Sequence, residues 1–192
     1  ARMLWIVFAI NAGMFLVEFG AGWVASSTAL LGDSLDMLGD ALVYAVSLLA
    51  VSRGPGWKAG SATFKGLIMA GFGLLVLAEA VGKLIYGGAP LAGYMAGVGA
   101  LALAANTFCL VLLTRFRDDD VNMRSAWICS RNDLIANTGV LVAAGFVVAT
   151  GSLLPDVIVG VAIALLFLHS SVGVLRDAYH SRVEARTART AG

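Results

Sequence analysis

Four side chains of metal-binding types fall in this sequence into two pairs of equal spacing. Asp36 and Asp40 stand four residues apart in Gly32-Asp33-Ser34-Leu35-Asp36-Met37-Leu38-Gly39-Asp40. Cys129 and Asp133 stand four apart in Cys129-Ser130-Arg131-Asn132-Asp133. On a helix, residues i and i+4 share a face one turn apart. Two such pairs on neighbouring helices would set four donors in one layer. Three carboxylates and a thiol cannot all stay ionised and unpaired away from water, and a divalent cation supplies the missing countercharge. Four donors suit tetrahedral coordination, and carboxylate with thiolate suits zinc or cadmium. Without a cation the acids would hold protons, and binding would release them, because a ligand must be deprotonated. Exchange of metal for protons follows from that chemistry.

The elements that must hold these donors are built for lipid. The chain is 59% hydrophobic and 13% charged, with a mean hydropathy of +0.88, whereas a soluble domain is about half apolar. Apolar windows of about 20 residues recur, enough for helices to cross a bilayer. The expected fold class is an all-α membrane protein with six transmembrane helices, over about 3–24, 30–51, 62–86, 91–115, 123–149 and 155–177. Residues 1–180 form the transmembrane domain and 181–192 a short basic cytoplasmic tail, with no C-terminal soluble domain expected. The apolar residues come in blocks and not in alternation, which excludes an outer-membrane barrel pattern. Glu18 inside the first run argues against a signal peptide.

The breaks between spans are chemically sensible. Ala25-Ser26-Ser27-Thr28 is a polar turn, Arg53-Gly54-Pro55-Gly56 a charged breaker, and Gly87-Gly88-Ala89-Pro90 a tight connection. Arg2, Arg53, Lys58, Lys65, Arg115, Arg117, Arg124 and the arginines after residue 175 fall on one side. Positive charge marks the cytoplasmic side, so both termini are expected there. Lys83 alone falls on the other side, near a helix end where it can snorkel. Arg131 lies within a span, close enough to the cytoplasm to snorkel or to pair with an acid.

Rise per residue puts Asp40 and Asp133 each roughly 15 Å into their helices, near mid-bilayer. A carboxylate there costs roughly 2.5–3.5 kcal/mol on insertion scales, so such residues are functional hypotheses by default. Asp33 reads more readily as a helix-start group near water. Glu18 reads equally as a buried hydrogen-bonding partner or a cavity group. Asn106, Asn132 and Asn137 suit interhelical hydrogen bonds or a shell around the metal, Asn132 and Asn137 being closest to Asp133. His169 reads as a hydrogen-bonded or cavity residue, and Cys109 as packing. A net charge of +1 with no aromatic-interleaved basic stripe offers no nucleic-acid partner. Two cysteines make no disulfide framework.

The stretch from Ala29 to Ala41 resembles the second transmembrane helix of cation diffusion facilitator transporters, which carries an H/D-x-x-x-D metal pair. Asn122-Met123-Arg124-Ser125-Ala126-Trp127, continuing to Asp133, resembles the start of that family's fifth helix, which carries the partner pair. The resemblance implies a homodimeric metal/proton antiporter, not an enzyme, that exports zinc-like cations by alternating access. It implies a transport site of Asp36, Asp40, Cys129 and Asp133; Asp33, Glu18, Asn132, Asn137, Asn106 and His169 are accessory candidates from their own chemistry. Zn2+, or Cd2+, Mn2+ or Fe2+, is then cargo and not a resident cofactor. The expected setting is a bacterial inner membrane. Asp36 and Cys129 stand where many zinc members carry histidine. A manganese- or iron-selective exporter, or a non-transporting protein with a regulatory metal site, are the alternatives.

Overall fold

A computed structural model of the chain describes residues 2–50, 55–115 and 121–190. Among these residues there are six α-helices and no strand: α1 (Arg2–Val24), α2 (Thr28–Ala50), α3 (Pro55–Tyr86), α4 (Ala92–Thr114), α5 (Val121–Thr150) and α6 (Leu154–Thr190). Two run well beyond their expected spans. α3 begins at Pro55, and α6 continues through the segment expected as a tail as far as Thr190.

The three tight connections α1–α2, α3–α4 and α5–α6 gather at one end of the bundle, the hairpin end. The main-chain N–H of Leu91, before α4, donates to the Ala25 carbonyl in the α1–α2 turn at 3.0 Å. That turn closes because Ser26 adopts a left-handed φ of 47°. The conformation lets the Ser27 N–H reach back to the Gly22 carbonyl at 2.8 Å, satisfying an orphan carbonyl of α1.

α1, α3, α4, α5 and α6 each contain an apolar stretch long enough to cross a membrane, such as Trp5–Val24 and Leu154–Arg176. α2 does not, because three carboxylates interrupt it within eight residues. Packing explains how this helix is tolerated. It lies against α1, α3, α5 and α6, and none of its described large apolar side chains is exposed. The other helices do turn large apolar groups outward, including Leu16, Leu74, Leu101, Phe146 and Leu166. Asp33 and Asp40 are thus buried among neighbouring helices, and Asp36 is half-buried beside them.

Apolar contacts seal the hairpin half. Ala29 and Leu30 of α2 pack with Met95 of α4, Val140 and Ala144 of α5 and Ile163 of α6. Further along, Leu35 of α2 packs with Met69 of α3 and Phe167 of α6. Lys83 does not snorkel. It is buried and ion-paired with Asp156 at 2.7 Å. Arg131 is exposed and pairs with no described acid; its guanidinium lies over the Trp127 ring, 5.5 Å from the centroid.

Candidate metal centre

The acidic pair of α2 and the acid of α5 meet across one space. Asp36, Asp40 and Asp133 line a cavity of about 250 Å³, together with Asn132, Phe167 and Ser170. Asp36 and Asn132 also line a neighbouring cavity of about 480 Å³ between α5 and α6, whose other walls are mainly apolar. Gly39 makes room on the α2 side, since a Cβ there would fall 2.8 Å from the Phe167 ring.

The register between α2 and α5 is visible in one side-chain bridge. Asn137 Nδ2 donates to the Asp133 main-chain oxygen at 2.7 Å and to Asp33 Oδ1 at 3.4 Å. The two helices run in opposite directions. One turn back from Asn137 is Asp133, and one turn on from Asp33 is Met37, between Asp36 and Asp40. By the same count the backbone of Cys129 stands opposite Ala41, one residue from Asp40. The Cys129 side chain lies outside the described residues.

The cavity acids differ in their surroundings. Asp40 accepts a hydrogen bond from the Tyr44 hydroxyl at 3.1 Å. Asp133 is buried, and its Oδ2 has no hydrogen-bonding partner among the described residues. The acids share the cavity without closing on a point. Among the described residues, no three His, Cys, Asp or Glu side chains are close enough to hold one metal ion.

Asp33 is not near water, as its position at a helix start suggested. It is fully buried, with Oδ1 held by Asn137 and Oδ2 unpartnered among the described residues. Glu18 is also fully buried, and neither carboxylate oxygen has a described partner. It lies within electrostatic reach of Asp133, Asp36 and Asp33. Asn137 is buried between the two acidic helices, and Asn132, though exposed, lines both cavities.

Two accessory candidates fall elsewhere. Asn106 packs behind α2, its Nδ2 3.8 Å from Met37 Sδ, and lines neither cavity. His169 is exposed and lines neither cavity. The α6 stripe that faces the acids is Ile163, Phe167, Ser170 and Val174. Residue 169, two positions from Phe167, is on the opposite side of a helix. Cys109 is buried with Val7, Tyr44 and Leu113, as packing residues are.

Sequence reading missed Tyr44, Ser170, Ser130 and Asp156. The only sequence signal for Tyr44 is its place as the third member of the i+4 series Asp36, Asp40, Tyr44. Ser130 lies inside Cys129-Ser130-Arg131-Asn132-Asp133, and its buried hydroxyl has no described partner.

Residues 4–181 match the model of the cation efflux transmembrane domain. The chain belongs to the cation efflux family. This family consists of transporters and not enzymes. Among curated cation efflux relatives, the zinc transporter ZitB of Escherichia coli (strain K12) is 29% identical over 96% of this chain and 63% of its own length. A cadmium, cobalt and zinc/H(+)-K(+) antiporter of Bacillus velezensis is 24% identical over 95% of this chain and 63% of its own. The metal cation efflux system protein CzcD of Cupriavidus metallidurans is 26% identical over 92% of this chain and 62% of its own. The chain therefore spans a little under two thirds of the length of these cation efflux relatives.

Proposed function

We propose that this chain is the transmembrane part of a divalent transition-metal exporter that exchanges zinc- or cadmium-like cations for protons by alternating access. The carrying observation is that Asp36, Asp40 and Asp133, from two antiparallel helices, line one cavity inside an apolar bundle. Carboxylates that line one space inside an apolar bundle favour a divalent cation or protons there, and exchange one for the other. Cys129 is the proposed fourth ligand, from its place one turn before Asp133. Asp33, Glu18, Asn132 and Asn137 are the proposed surroundings of the site.

The cavity is lined by Val43, Ser170 and Val174, in the half of the bundle away from the hairpin end. Metal would enter from that side, where the Arg and Lys bias puts the cytoplasm. Leaving by the hairpin end requires the apolar packing there to part. The proposed working form is a homodimer in a bacterial inner membrane.

The test is flux in proteoliposomes loaded with a zinc-sensitive dye under an imposed pH gradient. Zinc entry driven by the gradient is expected for the wild type and lost in Asp40→Asn and Asp133→Asn. Undiminished flux in both folded variants would sink the reading.

A further inference from the structure

Asp156, in the first turn of α6, is fully buried and accepts four hydrogen bonds. The Ser27 hydroxyl at 2.6 Å and the Ala29 N–H at 3.1 Å donate to Oδ1. The Thr28 N–H at 2.8 Å and Lys83 Nζ at 2.7 Å donate to Oδ2. The Thr28 hydroxyl in turn donates to Glu79 at 2.8 Å, and Glu79 lies 4.0 Å from Lys83.

A helix start leaves four N–H groups without intrahelical partners. At α2 all four are accounted for. Ser27 N–H goes to the Gly22 carbonyl, Thr28 and Ala29 to Asp156, and Leu30 to the Ser27 hydroxyl at 3.1 Å. Half of the N-terminal cap of α2 is therefore supplied by α6. A carboxylate also suits the positive end of the helix dipole.

The contact continues along both helices without slip. Gly160 lies against the Thr28 main chain, where no Cβ fits, and a Cβ on Gly32 would meet the Gly160 carbonyl at 3.0 Å. Phe167 lies against Gly39. The pairs Thr28–Asp156, Gly32–Gly160 and Gly39–Phe167 share one separation of 128 positions. Side-by-side parallel helices with one constant offset have one register, and Asp156 pins its start. Asp36 and Asp40 follow Gly32 by one and two turns on the same helix.

We propose that Asp156 is a positioning residue for the metal-binding acids: it fixes how far α2 stands along α6, and so the height of Asp36 and Asp40 in the cavity. The proposal rests on the metal-site reading above. An asparagine would keep the shape but turn an N–H2 group toward donors, breaking at least one of the four bonds.

The test compares zinc affinity of the purified full chain in detergent with amide hydrogen exchange in the first turn of α2. Asp156→Asn should weaken zinc binding about tenfold or more, as loss of a ligand-orienting partner does, and should speed exchange at Thr28 and Ala29. Adding Lys83→Met to Asp156→Asn should not restore affinity; restoration would reduce Asp156 to a countercharge for Lys83 and overturn the proposal. Ser27→Ala keeps the ion pair and guards against a variant that fails to fold; it should show a smaller loss of affinity in the same direction. Wild-type affinity in folded Asp156→Asn or Ser27→Ala overturns the proposal alone. A wild type that binds no zinc overturns the metal-site reading and this inference with it.

Discussion

Gly39 of α2 lies so close to Phe167 of α6 that a Cβ on it would fall 2.8 Å from the ring. The glycine lets an aromatic wall stand beside the acids, within the cavity that Asp36 and Asp40 line. Gly39→Ala should force the ring aside, at a cost of about 1–3 kcal/mol. The measurement is the unfolding temperature in detergent, read with zinc affinity. Phe167→Leu in the same chain should recover part of the loss, and a Gly39→Ala protein with wild-type stability and affinity would contradict the packing described.

Tyr44, one turn beyond Asp40 on α2, donates a hydrogen bond of 3.1 Å to its carboxylate. Partners that orient a ligand typically affect metal affinity by about 10–100-fold. Tyr44→Phe should therefore weaken zinc binding by about tenfold while the apolar packing of the ring with Val7 and Leu113 survives. Calorimetric titration decides it, and equal affinities would separate Tyr44 from the site.

Thiolate ligands favour zinc and cadmium, and an all-oxygen site favours manganese. Cys129→Ser should lower the ratio of zinc to manganese transport, with total protein and fold unchanged. An unaltered ratio removes Cys129 from the ligand set.

Glu18 is buried with both oxygens unpartnered among the described residues, an arrangement that folding alone does not reward. Glu18→Gln should keep the unfolding temperature near wild type and still reduce pH-driven zinc flux. If flux holds and only stability falls, Glu18 is a packing residue.

His169 supplies the opposite control. Because it is exposed and lines neither cavity, His169→Ala should leave zinc affinity and flux unchanged. A loss of affinity would bring it back to the site.

The acids were legible because a carboxylate in an apolar run is conspicuous, and because i, i+4 spacing by itself fixes a shared helical face. The turns at the hairpin end were legible from Gly, Pro and the serine turn, whereas the start of α3 and the end of α6 were not. The partners of those acids were harder. Tyr44 reads as an ordinary core aromatic, and Asp156 as a first-turn acid beside a proline. What makes Asp156 distinct is a set of donors 128, 127 and 73 positions away, and sequence spacing carries no such contact. His169 was misplaced for a simpler reason. An imidazole's chemistry says nothing of its helical face, and the stripe through Phe167 and Ser170 excludes it.

α2 is the least lipid-compatible helix and sits ringed by its neighbours. The group that closes its first turn is synthesised 128 residues later, roughly 6–25 s at translation speeds of about 5–20 residues per second. During that interval the amides of Thr28 and Ala29 need another acceptor, either water at the membrane surface or the insertion machinery. The second helix of this bundle therefore gains its full cap only once the last helix is in place.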